Sequence, residues 1–251
     1  MKRIDIVLTE KNIAKSRSQA QSFIQEKRVF AQIKGQLTLI TKPSTKVTPE
    51  CEIQLQHSDT DQYVSRGALK LVGALELSQL DIAGFTVLDV GQSTGGFTDC
   101  ALQQGAGKVI GIEVGHDQLD SSLIQDPRVV CLEGVNARNL NVDDLGEHFP
   151  EKGFDLAVMD VSFISQAKIL PQLPELLSEE GHLISLVKPQ FEVGKEGIGK
   201  GGIVKDPSLF KQVEQRICKL VSDLGFSIQS YTESPIKGGD GNREFLLWAK
   251  K

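Results

Sequence analysis

The 251-residue chain has only four cysteines (Cys51, Cys100, Cys131 and Cys218), and no two of them form a CxxC pair. Spread this widely, they predict reduced thiols and no zinc site. His116, His148 and His182 are scattered and unpaired, so no metal is expected either. No run of about 18 apolar residues exists, which excludes a readable membrane helix. The first residues, MKRIDIVLTEKNIAK, lack the apolar stretch of a secretion signal and predict a cytoplasmic protein. Two nucleotide motifs are also missing. No GxxxxGK[ST] occurs, which leaves a phosphate-cradling NTPase unsupported. The one glycine turn after a strand-like run, G-Q-S-T-G-G from Gly91 to Gly96, carries Ser93 where a dinucleotide fingerprint needs glycine.

What is present has two rhythms. Residues 1–60 hold ten Lys or Arg against six Asp or Glu, although the whole chain is at −5, so a basic segment precedes an acidic body. That asymmetry fits a segment that meets a polyanion, or a chance excess on a solvated face. The segment reads as helices over 3–14 and 16–29, the second capped by Ser16 or Ser18. Short strands VFAQI, QLTLI and CEIQLQ follow, making a small α/β module over 1–60 with a polar linker at 58–64. From residue 61 to 251, apolar runs (FTVLDV, KVIGIEV, RVVCLEG, FDLAVMDV, GHLISLVKP) alternate with helical stretches at 65–79, 95–104, 116–124, 166–178 and 206–224. This pattern predicts a parallel sheet covered on both faces. The last runs, FSIQSYTES and NREFLLWAK, are joined closely enough for an antiparallel hairpin. The fold class is therefore α/β: a Rossmann-like domain with a mixed, mostly parallel seven-stranded sheet, behind a small α/β module.

In such sheets a ligand binds outside the carboxyl ends of the strands. Asp89 ends the first strand of this domain, the turn of Gly91, Ser93, Gly95, Gly96 and Phe97 follows it, and Glu113 ends the next strand. A carboxylate at Glu113 can accept both hydroxyls of a ribose, and Asp89 can face an amino group or water. The set suits S-adenosyl-L-methionine, a nucleoside with a sulfonium and no phosphates. Asn136 is a candidate contact for its adenine, and Asp160 is a further candidate cofactor contact. The alternative is a tight packing turn flanked by two solvated acids.

Several motifs, in order, carry a family resemblance: YVSRGALKL, LDVGQSTGGFTD, DVSFIS, LVKPQFE and SPIKGGDGNREF. The chain resembles the TlyA (hemolysin A) family of ribosomal RNA 2′-O-methyltransferases, and the segment around SRSQAQSFIQEKRV resembles an S4-type RNA-binding domain. The resemblance implies an FtsJ-like catalytic domain at 61–251 and a Lys-Asp-Lys-Glu set at Lys70, Asp160, Lys188 and Glu244. Position supports this. Asp160 and Lys188 end predicted strands, Glu244 begins an antiparallel one at the same edge, and Lys70 lies one turn into a helix capped by Ser65.

Ribose methylation needs a base for the hydroxyl and no acid for the neutral thioether that departs. A lysine beside a second cation in a closed site would lose its proton more readily, and Lys188 is the candidate. The implied partners are ribosomal RNA and ribosomal subunits. Their contacts are expected from Arg3, Lys11, Lys15, Arg17, Lys27, Arg28 and Arg66, and from Lys200 in the glycine-rich 194–206 stretch, as a lid or a surface loop. Two alternatives remain at this level: a non-catalytic RNA-binding assembly protein on the same fold, and a membrane-active hemolysin.

Overall fold

The computed structural model describes residues 1–14, 17–56 and 58–251. It divides into two compact units, Met1–Asp61 and Gln62–Lys251. Lys15 and Ser16 fall outside the described residues, as does the side chain of Ser18.

The first unit contains β1 (Lys2–Arg3), α1 (Ile4–Glu10), α2 (Arg17–Gln25), β2 (Val29–Ile33), β3 (Gln36–Leu39), β4 (Lys46–Val47) and β5 (Ile53–Leu55). Strands β3, β2 and β5 form an antiparallel sheet, and β1 pairs with β4. Ile4, Val7 and Leu8 of α1 pack with Ala20, Phe23 and Ile24 of α2 in one apolar core. That spacing is the helical i, i+3, i+4 stripe. Buried Asp5 gathers Arg3 (2.9 Å), Arg17 (3.2 Å) and Gln21 (3.1 Å) around its carboxylate. Bonds to these donors, Arg3 first, hold Asp5 well below the usual carboxylate range.

One expected RNA contact needs correction here. Arg28 is buried, and its guanidinium bonds Glu26, Asp61 and the Gln56 carbonyl. It ties the unit together, and most of its donors are taken up within the protein. The expected strand-like pattern after Arg28 is present from Val29 onward.

The second unit runs α3 (Ala68–Ser78), β6 (Thr86–Val90), α4 (Gly96–Gln103), β7 (Lys108–Glu113), α5 (Ser121–Ile124), β8 (Val129–Glu133), α6 (Val142–Leu145), β9 (Phe154–Met159), α7 (Leu173–Leu176), β10 (Leu177–Val187), α8 (Pro207–Asp223), β11 (Ser227–Glu233) and β12 (Phe245–Lys250). Its seven strands lie in the order β11-β12-β10-β9-β6-β7-β8. Strand β12 is antiparallel to both neighbours, and the pairs among β10, β9, β6, β7 and β8 are parallel. Successive strand residues point to opposite faces. Val87, Val109, Leu156 and Ile184 accordingly pack with Leu71 of α3 and Phe97 of α4, while Leu88, Ile110, Ala157 and Leu183 pack with Leu173, Ile217 and Val221 on the other face.

Two expected helices are shorter than the sequence pattern suggests. Over 166–178, Pro171 and Pro174 lack the amide protons that a continuous helix needs. The segment breaks into short turns and α7, and β10 starts at Leu177. Over 116–124, Asp117 takes a left-handed φ of 56°, and Asp120 caps a helix of four residues. Among the described residues no helix is long and apolar enough to cross a membrane.

The chain leaves β6 toward β7 and β8, then returns to place β9 on the other side of β6. The carboxyl ends of β6 and β9 therefore flank the switch point where open α/β sheets bind ligands. The Asp160 amide donates to the Val90 carbonyl there. Gly91, at φ 84°, is required because any Cβ would lie 2.9 Å from the Asp160 carbonyl oxygen.

Candidate active site

At this switch point lies a cavity of about 650 Å³, lined among others by Gly91, Ser93, Glu113, Asn136, Asp160 and Phe163. Its size is typical of a small-molecule site. A second space of about 180 Å³ shares Gly91, Ser93, Asp160 and Ser162 with it and adds Ser65, Gly96, Phe97 and Lys188.

Glu113 stands at the end of β7. Its two oxygens accept the Ser93 amide (2.9 Å) and the Gly115 amide (2.8 Å). A carboxylate offers about four lone-pair sites, so these bonds orient it and still leave acceptor capacity for a ribose diol. Asn136 caps the following turn by accepting the Arg138 amide through Oδ1, which leaves its amino donors for a ligand at the cavity wall. A nucleoside with a short polar tail and no phosphates fits this donor set: a diol acceptor at Glu113, an amide at Asn136, and a smaller polar annex toward Asp160.

Asp89 and Gly95 are not among the residues that line these two spaces. Asp89 is fully buried. Thr98 Oγ1 donates to its Oδ2 at 2.7 Å, and Gln92 Nε2 donates in turn to Thr98 at 2.8 Å. Its Oδ1 has no hydrogen-bond partner among the described residues. Burial pushes its carboxyl up to about 7, helped by the charges of Asp160 and Glu113 and opposed by Thr98. Gly95 takes φ 90° at the start of α4, with Leu119 and Leu123 pressed against it, so it serves packing.

The raised Asp89 value makes a stability prediction. The unfolded chain loses this proton near pH 4 and the folded protein near pH 7, so folding takes up a proton in between. Stability falls from pH 4 to 7 and the loss is constant above. Asp89→Asn is expected to be the more stable protein at pH 8, by up to about 4 kcal/mol, with the gain shrinking toward pH 4. Thermal unfolding of both proteins at the two pH values checks this.

The charged set forms a line at the edge of the cavities. Lys70 Nζ lies 2.7 Å from Glu244 Oε2 and 3.8 Å from Asp160 Oδ2, and Lys188 Nζ lies 2.5 Å from Asp160 Oδ1. Acid and base alternate from Glu244 through Lys70 and Asp160 to Lys188. The topology explains this. Strands β12, β10 and β9 are adjacent, Val187 pairs with Phe245, and the next residues outward are Lys188 and Glu244. Lys70 arrives from the first turn of α3, whose N-cap is Gly67; the expected capping residue, Ser65, instead packs against Gly96.

Three features escaped the sequence reading. Ser162 Oγ accepts a hydrogen bond from Lys188 Nζ at 2.8 Å. Phe163 is 89 % exposed on the cavity wall, at a left-handed φ of 62°, with its ring 5.2 Å from that of Phe191. A bulky residue held at positive φ is strained and marks a functional site more often than chance. Buried Glu192 accepts from Ser165 Oγ (2.8 Å), the Gln166 amide (2.8 Å) and Arg216 (2.7 Å), tying the loop after β9 to the turn after Lys188.

Of the expected RNA contacts, Arg3, Lys11, Arg17 and Lys27 are exposed in the first unit, and Arg66 and Lys200 in the second. Lys11 donates to the Cys51 carbonyl and Arg66 to the Lys237 carbonyl. The 194–206 stretch is anchored by Asn242, which bonds the Val204 amide and the Gly202 carbonyl.

Comparison with known proteins shows the family. Residues 63–251 match the FtsJ-like methyltransferase family. A 16S/23S rRNA (cytidine-2′-O)-methyltransferase, TlyA, of Mycobacterium tuberculosis is 41 % identical over 99 % of this chain and 89 % of its own length. Hemolysin A of Brachyspira hyodysenteriae is 36 % identical over 97 % and 98 %. The solved structure described as "Putative hemolysin from Streptococcus thermophilus" superposes with a TM-score of 0.77 at 39 % identity, over 99 % of this chain and 88 % of that one.

Proposed function

The chain belongs to the FtsJ-like methyltransferase family, and from that premise we propose that it methylates the 2′-hydroxyl of a ribose in ribosomal RNA. The bound S-adenosylmethionine supplies an electrophilic methyl group. Glu113 and Asn136 hold the nucleoside end, and Ser93, Gly96 and Asp160 line the space for the amino acid end. Lys188 takes the ribose proton. Asp160 keeps Lys188 and Lys70 side by side, and Glu244 balances Lys70. The observation that carries this reading is the alternating Glu244-Lys70-Asp160-Lys188 line beside the cavity. A fold kept only for RNA binding has no use for four paired charges at a cofactor cleft.

Cytidine is the candidate nucleoside, being the one named for the Mycobacterium tuberculosis relative. Residues 1–61, as an S4-like module, would hold the RNA backbone through Arg3, Lys11, Arg17 and Lys27, with affinity falling as salt rises. Work on ribosomal RNA would suit a cytoplasmic protein. The test is label transfer from radioactive cofactor to separate small and large ribosomal subunits that lack the modification. Label in the RNA of either subunit is expected; label only in protein defeats the proposal.

Phe163 offers a stacking surface for the target base once it leaves its helix. Such stacking is worth roughly 1–3 kcal/mol. Phe163→Ala is therefore expected to raise the KM for RNA about 5- to 150-fold while cofactor affinity stays within about twofold, as read by steady-state transfer and cofactor titration.

A further inference from the structure

A lysine that accepts a proton must first be neutral. A neutral primary amine has two N–H donors and one lone pair, so its direction matters as much as its position. Two protein groups touch the Lys188 nitrogen: Asp160 Oδ1 at 2.5 Å and Ser162 Oγ at 2.8 Å. Asp160 makes a charged contact and Ser162 a hydrogen bond, so the two take two directions around the nitrogen and leave a third open.

We propose that Ser162 is a positioning residue that turns the Lys188 amine so that its lone pair faces the ribose hydroxyl. The inference rests on the function proposed above. During transfer the ribose O–H bond breaks and its proton forms the third N–H of Lys188, while the oxygen's electron pair forms the bond to the methyl group and the pair of the broken methyl–sulfur bond leaves with the neutral thioether. The N–H donated to Ser162 is unchanged through this step, so the nitrogen need not rotate.

Position supports the role. Ser162 lines both spaces together with Asp160. It lies between the end of β9 and the strained backbone of Phe163. The loop that carries it is bonded through Ser165 and Gln166 to Glu192, four residues beyond Lys188. The loop that carries Ser162 and the turn that follows Lys188 are therefore tied through one buried residue, Glu192, which also accepts from Arg216.

The test compares the natural protein with Ser162→Ala and Ser162→Thr, measuring kcat, KM for ribosomal RNA and cofactor affinity. Ser162→Ala is expected to lower kcat roughly 10- to 100-fold, a part of the 10²–10⁴ that base catalysis contributes. Cofactor affinity should stay within about twofold and KM within about threefold. Ser162→Thr keeps a hydroxyl at the same place and should recover kcat to within about threefold of the natural value. A kcat for Ser162→Ala within twofold of natural overturns the proposal, and so does a loss that Thr does not recover or that cofactor affinity accounts for. Failure of the underlying function looks different: the natural protein itself would leave no methyl on ribose.

Discussion

Lys188→Ala should transfer methyl groups roughly 10²–10⁴-fold more slowly than the natural protein and bind S-adenosylmethionine almost as tightly. Lys188 is only 8 % exposed and sits at the end of the charged line, where its nitrogen meets Asp160 and Ser162. The groups expected to hold the nucleoside, Glu113 and Asn136, are oriented by their own backbone bonds and not by Lys188. Without the amine, water must take the ribose proton. Asp160 cannot replace it as base without giving up its pairing with Lys70. Single-turnover transfer with saturating cofactor, beside a cofactor titration, separates the two effects. Natural turnover by the variant would remove the base assignment.

Asp160→Ala should fail on two counts. The carboxylate lies between two buried lysines, 7 % and 8 % exposed, and it lines both spaces. Its loss leaves buried Lys188 without its acidic partner, while Lys70 keeps Glu244 at 2.7 Å. Breaking a buried pair in this way costs roughly 3–5 kcal/mol, which is about 6–20 °C in Tm for a unit of this size. Methyl transfer should fall as well, because Lys188 is no longer held. Calorimetry and transfer assays on one preparation read both. A protein with unchanged Tm and activity would show that the line of charges is incidental.

Asp160, Lys188 and Glu244 were singled out by the family resemblance, and the strand-like runs put all three at one edge of a sheet whose strand directions follow from the alternating pattern. Glu113 was legible from its place at a strand end. Ser162 and Phe163 were not, because no period in DVSFIS tells that the serine meets a lysine 26 residues on or that the phenylalanine faces solvent. Arg28 looked like its basic neighbours. Its burial depends on Asp61, 33 residues away, and composition cannot report a pairing of that range. Asp89 was legible as a strand-end acid, but Gln92 and Thr98 fold over it, and a side chain's depth behind a turn has no sequence signature. The helix expected over 166–178 overlooked two prolines that were in plain view.

The most direct measurement is mass spectrometry of nucleosides from ribosomal RNA treated with the natural protein, with Lys188→Ala and with no enzyme, each with isotopically labelled cofactor. The account predicts a labelled 2′-O-methyl ribose, on cytidine, in the first sample alone. Label on a base, or equal ribose labelling by Lys188→Ala, would contradict it.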